Sequence, residues 1–111
     1  MTLRELRVLH TKLICEHILW LFEQGYEVAA DEGMDRITEK DPTSDHMKNS
    51  CHEVGLAMDL NLYQQGVWLP DTEDHKVSGE KWKTRHPLCR WGGDFKHADG
   101  NHYSLEYQGR Q

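Results

Sequence analysis

From Gly55 onward the chain alternates in a way that leaves few choices for its backbone. Gly55, Ala57, Asp59 and Asn61 fall on one side of an extended segment, and Leu56, Met58, Leu60 and Leu62 on the other. A period of two with one apolar side specifies a strand that packs one face on a core. The opposite face carries two very small residues and then a carboxylate, which leaves room for close approach to the backbone. His52 precedes the strand, in a turn that can swing its imidazole over that same face. A histidine and an aspartate aimed at one point are two candidate ligands for a divalent metal.

A second stretch matches the first. In Asp99-Gly100-Asn101-His102-Tyr103-Ser104-Leu105-Glu106-Tyr107, His102, Ser104 and Glu106 share one side, and Tyr103, Leu105 and Tyr107 the other. A second strand is therefore expected to start at His102. Two histidines and one carboxylate make a three-ligand set that leaves a fourth zinc position for water. Asp99, three residues before His102, is then a spare carboxylate suited to proton transfer.

The residues Ser50-x-His52-x-x-Gly55-x-Ala57-x-Asp59, followed by Trp91-Gly92-Gly93-Asp94-Phe95 and Asp99-x-x-His102-Tyr103, carry a resemblance. The pattern resembles the zinc-dependent D-Ala-D-Ala carboxypeptidase family, most closely its L-alanyl-D-glutamate peptidase branch, which includes phage endolysins and bacterial cell-wall peptidases. It covers roughly Gly33 to Glu106. One departure is Asn101, where the family often has proline before the final histidine. The resemblance implies one zinc ion on His52, Asp59 and His102, with Asp99 as the catalytic carboxylate. It also implies an α+β fold of the hedgehog/DD-peptidase type and the stem peptide of peptidoglycan as substrate, cut at the L-Ala-D-Glu bond. A D-Ala-D-Ala carboxypeptidase or dipeptidase would use the same catalytic set, and a non-catalytic metal-binding or wall-binding module is the further alternative. Family members carry an arginine shortly before the histidine motif. Arg36 is the candidate for holding a substrate carboxylate or the oxyanion, against the reading of a solvated arginine beside Asp35.

Length and charge set the remaining bounds. A chain of 111 residues is expected to form one catalytic domain, with no room for a separate wall-binding module. The net charge of −6 with interspersed signs argues against nucleic acid and gives no electrostatic help toward an anionic envelope. No apolar run reaches the length of a membrane span, and the first residues lack a secretory signal. A monomer is expected that stays in the cytoplasm of the producing cell and acts on the wall after release. Three cysteines, Cys15, Cys51 and Cys89, without a Cys-x-x-Cys pair indicate reduced thiols rather than a disulfide framework. Cys51 is read as a non-ligand, because adjacent side chains diverge in strand-like geometry.

Elsewhere, residues 2–25 read as a helix with Thr2 and Glu5 as a capping box and Gly25 closing its C-terminus. His10 and His17 are expected at the rim of its apolar face. A first strand is expected over Tyr26–Ala30 and a loop with a solvated His46 over Thr38–Asn49. His75 is expected in solvent, Trp68 as a satellite core residue, and a short helix near Gly79–Arg85, ended by Pro87. Gly92-Gly93 permits either a tight turn or the approach of a substrate backbone.

Overall fold

The computed structural model describes residues 1–31 and 50–111. Arg36, His46 and the Thr38–Asn49 loop lie outside the described residues. The first helix, α1, spans Leu3–Glu23. Thr2 Oγ1 accepts from the Glu5 N–H at 3.1 Å, and Glu5 Oε1 accepts from the Thr2 N–H at 2.8 Å, so the capping box forms as read. At the other end Gly25 takes φ +95°. The Gly25 N–H reaches Phe22 O at 3.0 Å and the Tyr26 N–H reaches Leu21 O at 3.1 Å. That is a Schellman closure, in which a left-handed residue satisfies the last carbonyls of the helix.

Five strands follow among the described residues: β1 (Glu27–Asp31), β2 (Ala57–Gln64), β3 (Val67–Leu69), β4 (Cys89–Trp91) and β5 (His102–Leu105). The second helix, α2, spans Lys76–Lys83. The fold is α+β, with two helices among the described residues and an antiparallel sheet in the order β1-β2-β5-β4. The second edge of β2 is shared. Its first half pairs with β5, Ala57 opposite Ser104 and Asp59 opposite His102. Its second half pairs with β3 across a hairpin, Leu62 opposite Leu69.

The alternation read from the sequence assigns the faces. Leu60, Leu62, Tyr103, Leu105, Cys89 and Trp91 turn into a core shared with Leu6, Leu13, Ile14 and Leu21 of α1 and Trp82 of α2. Both helices therefore cover one face. Asp59, Asn61, His102 and Ser104 turn to the other. The strand begins at Ala57 rather than Gly55. Gly55 instead closes a 3₁₀ turn over Cys51–Val54 with φ +75°, a left-handed conformation that glycine adopts without a steric penalty.

Three histidines read as rim or solvent residues are buried. His10, His17 and His75 are each at most 4% exposed. His10 Nε2 lies 3.2 Å from Tyr103 O. His17 joins a hydrogen-bonded chain whose tautomers follow from its ends. Arg85 Nε donates to His17 Nδ1 at 2.9 Å, so His17 Nε2 carries the proton toward Ser78 Oγ, 2.9 Å away. At the far end Leu69 O can only accept, so His75 Nε2 is the donor at 3.2 Å. His75 Nδ1 then accepts from the Tyr103 hydroxyl at 3.1 Å. Tyr103 and Ser78 hydroxyls lie 2.8 Å apart and complete the chain with both histidines neutral. Trp68, expected in a satellite core, is 57% exposed in the β2–β3 hairpin. Its register partner there is Tyr63.

The glycine pair serves the chain's own packing. A Cβ on Gly92 would overlap the Asp99 carbonyl and come within 2.7 Å of the His102 Cβ, and one on Gly93 would overlap the Trp91 ring. Gly92 O accepts from the N–H groups of Phe95 at 3.1 Å and Asp99 at 2.9 Å. The turn over Gly92–Asp94 is thereby pressed against the start of β5. The backbone approach expected at these glycines is intramolecular.

Burial holds His10 at about 4 and His17 at about 3, well below the ordinary histidine value. In the unfolded chain both take up protons below about pH 6.5. The unfolded state thus binds more protons than the native state as pH falls through that window. Stability should be flat above about pH 7 and drop below about pH 6.5 by about 1.4 kcal/mol per pH unit for each histidine. Urea melts of metal-free protein between pH 7.5 and 5 should show this slope, and His17→Gln should lower it by one proton's worth. A flat profile would contradict the neutral, buried assignment.

Candidate metal centre

The face of the sheet opposite the helical core presents three side chains to one point, and Asp59 and His102 are buried there. Asp59 and His102 are direct cross-strand partners in the β2–β5 pair, and partners in an antiparallel register project from the same face. His52 arrives from the 3₁₀ turn. That turn is capped at its start by Ser50, whose Oγ accepts from the His52 N–H at 3.2 Å, and closed by Gly55, whose N–H reaches His52 O at 3.3 Å. Ser50 thus acts on the backbone of His52. The Cys51 thiol turns the opposite way, donating to Leu105 O at 3.0 Å, and burial pushes it up to about 11.

His52 Nε2 lies 3.1 Å from Asp59 Oδ1. His102 Nδ1 lies 3.2 Å from His52 Nε2 and 3.9 Å from Asp59 Oδ1. These spacings fit a metal. Ligand atoms at about 2.0–2.1 Å in tetrahedral array stand about 3.3 Å apart. Hydrogen bonding alone serves the three atoms poorly. If His52 Nε2 carries a proton to Asp59, the nitrogen has no lone pair left to accept from His102 Nδ1. If it carries none, its lone pair faces the carboxylate oxygen at 3.1 Å. A cation between them receives all three lone pairs at once. On the other edge of β2, Asp31 stands opposite Asp59. Two carboxylates in register repel, and a bound cation would offset that too. Among the described residues, His52, Asp59 and His102 form a group able to hold a metal ion.

The cluster opens into a pocket of about 500 Å³ lined by Ser50, Phe95, Lys96, His97, Asp99 and Arg110 among others. Phe95 packs edge-on to His102, ring centres 5.1 Å apart. Asp99 lies on the exposed wall of this pocket and outside the cluster. Its main chain is held on both sides. Its N–H donates to Gly92 O at 2.9 Å, and its carbonyl accepts from the His102 N–H at 3.1 Å.

The family model described as D-alanyl-D-alanine carboxypeptidase matches residues 43–105, more than half of the chain and all three residues of the cluster. The chain belongs to that family. Comparison with curated proteins finds no match. Within the carboxypeptidase family's matched segment lie the 3₁₀ turn over Cys51–Val54, β2, β3, α2, β4 and β5, whereas α1 and β1 precede it. Of the candidate site residues, His52, Asp59 and His102 come together and Asp99 stands beside them. Sequence reading passed over Lys96, His97 and Arg110. The first two directly follow the Trp-Gly-Gly-Asp-Phe string. Arg110 reaches the pocket through a bridge to Tyr107 that leaves no signature in alternation.

If this trio is the metal centre, the protein should bind one ion per chain at equilibrium. His52→Ala and His102→Ala should each weaken binding by more than the 10–100-fold expected for loss of an outer-sphere partner, while Cys51→Ser should leave it unchanged. Metal analysis after dialysis checks this. Stoichiometric metal in His102→Ala would rule the trio out.

Proposed function

We propose that this chain is a zinc-dependent peptidoglycan peptidase acting on the stem peptide, with the L-Ala-D-Glu bond as its target. The observation that carries the reading is the pairing of a convergent His-Asp-His group with a further carboxylate, Asp99, on the wall of the same pocket. The donor set suits zinc, since two imidazoles and a carboxylate leave a position open. His52, Asp59 and His102 would hold the zinc, which would supply Lewis-acid polarisation and a lowered water pKa. Asp99 takes a proton from the attacking water and returns one to the leaving amine. Its main-chain bonds to Gly92 and His102 keep it beside the cluster. Arg36 is the proposed partner of the oxyanion or of a substrate carboxylate. The family's description as D-alanyl-D-alanine carboxypeptidase favours a second reading, removal of a terminal D-Ala by the same groups.

Asp99→Asn should keep its metal and its fold and lose about 10²–10⁴ in rate. Asp59→Asn should lose metal instead, because a charged ligand becomes a neutral amide. Zinc content and hydrolysis of purified peptidoglycan, measured side by side, separate the two roles. Mass spectrometry of the products separates the two bonds: a new D-Glu amino terminus marks the endopeptidase, and free D-Ala marks the carboxypeptidase. An active Asp99→Asn would remove this residue from the mechanism.

A further inference from the structure

Helix α1 carries two apolar stripes. One packs into the core through Leu6, Leu13, Ile14 and Leu21. The other lies on the opposite side of the helix. At about 100° per residue, Val8, Cys15, Leu19 and Phe22 fall within an arc of about 60° and run along about four turns. All four are exposed, Val8 at 66%, Leu19 at 65% and Phe22 at 51%. A surface helix ordinarily turns polar residues outward. A continuous apolar stripe left in water marks a surface that another molecule covers.

The charges of α1 select the partner and its direction. The first half of the helix bears Arg4, Glu5, Arg7 and Lys12, three cations and one anion, and the second half bears Glu16 and Glu23. The two halves are therefore +2 and −2, and all six side chains are exposed. Laid antiparallel against a second copy of itself, each half meets its complement. Laid parallel, like charge meets like. A two-fold axis at Cys15 makes the face self-complementary. Val8 then stands opposite Phe22 of the partner subunit, each seven residues from the axis. Lys12 and Glu16 lie on one flank of the stripe, three residues before Cys15 and one after it. The axis brings Lys12 of one protomer to within about 3 Å, along the helix, of Glu16 of the partner subunit. Glu16 meets Arg85 within its own chain only at 4.0 Å, and its side chain is 48% exposed, so it is open to a second cation.

We propose that the protein forms a two-fold homodimer through the outward face of α1, with the two helices antiparallel and meeting at Cys15, in place of the monomer expected from the sequence. The proposal goes beyond the peptidase reading and does not depend on it. Helix α1 covers the sheet face opposite the metal cluster, so pairing through its outer side leaves both metal centres uncovered. A helix of 21 residues is about 32 Å long and about 10 Å wide. Two such faces make an interface at the small end of the specific range, and dissociation in the micromolar range is expected.

Sedimentation velocity of the full chain from about 1 to about 100 μM should show a monomer–dimer equilibrium. A short bismaleimide should join Cys15 to its copy, because Cys51 and Cys89 are buried and Cys15 is exposed. Cys15→Ser should stay dimeric and lose the cross-link. Leu19→Glu and Phe22→Glu should each weaken association by about tenfold or more, with helix content unchanged because both side chains stand in solvent. The direction of the helices has its own test. Lys12→Glu and Glu16→Lys should each weaken association when alone. An equimolar mixture of the two variants should recover it, since every heterodimer regains two pairs of unlike charge across the axis. A monomer throughout, whether or not it binds vesicles of anionic lipid, overturns the proposal. So does a dimer untouched by Leu19→Glu and Phe22→Glu, or a mixture that associates no better than its components.

Discussion

The antiparallel register between β2 and β5 is the constraint on which the rest depends. With Asp59 set opposite His102, two of three ligating atoms project from one face of two hydrogen-bonded strands. A slip of one residue would turn one of them into the core. The register is locked on the core face by Leu60, Leu62, Tyr103 and Leu105, all fully buried. Burial of apolar groups on one face thus determines where the polar groups of the other face meet. The third ligand comes from a turn whose cap, Ser50, and whose left-handed closure, Gly55, both act on the backbone of His52. Four of the five residues of the first motif are accounted for by ligation or by the turn that positions a ligand, and Gly55 and Ser50 do so without touching the metal position.

The buried polar chain through Tyr103 supports this arrangement from behind. Tyr103 follows His102 directly, and its hydroxyl is held by Ser78 of α2 and by His75. Trp82 of α2 donates to the carbonyls of Arg90 at 3.0 Å and Ser104 at 3.2 Å, on the strands either side of the β4–β5 seam. Gly79 lets the same helix sit against the Trp91 indole. Lys83 reaches Asp94 at 2.8 Å, tying the end of α2 to the turn that touches His102. A buried polar network of this kind stabilises only while every member is satisfied. Here the neutral tautomers pair the ring nitrogens and hydroxyls from Arg85 Nε to Leu69 O, while Arg85 Nη2 is buried without a hydrogen-bond partner among the described residues.

Much of the site was legible in the sequence because it is local. Alternation located β2 and β5, Thr2-x-x-Glu5 located the helix start, and the spacing from Ser50 to Asp59 placed two ligands on one strand and its preceding turn. What the sequence concealed is non-local. His17 is satisfied by Ser78 and Arg85, 61 and 68 residues away, so periodicity could only rank it as polar. His75 was read as solvated because it follows a run of turn formers, whereas the Tyr103 hydroxyl and Leu69 carbonyl satisfy it inside the fold. Gly92 and Gly93 announced a close approach without saying to what. The answer, the Asp99 carbonyl and the Trp91 ring, required the β4–β5 pairing. Arg110 was missed for the same reason, since it lines the pocket only through its bridge to Tyr107.

The central claim is that the fold presents His52, Asp59 and His102 as one face of a metal site. X-ray absorption at the zinc edge of the loaded protein addresses it most directly. The account predicts four nitrogen and oxygen neighbours at about 2.0–2.1 Å, with the outer-shell pattern of two imidazoles and no sulfur. A sulfur neighbour at about 2.3 Å, which would bring in Cys51 or Cys89, or a single imidazole, would contradict it.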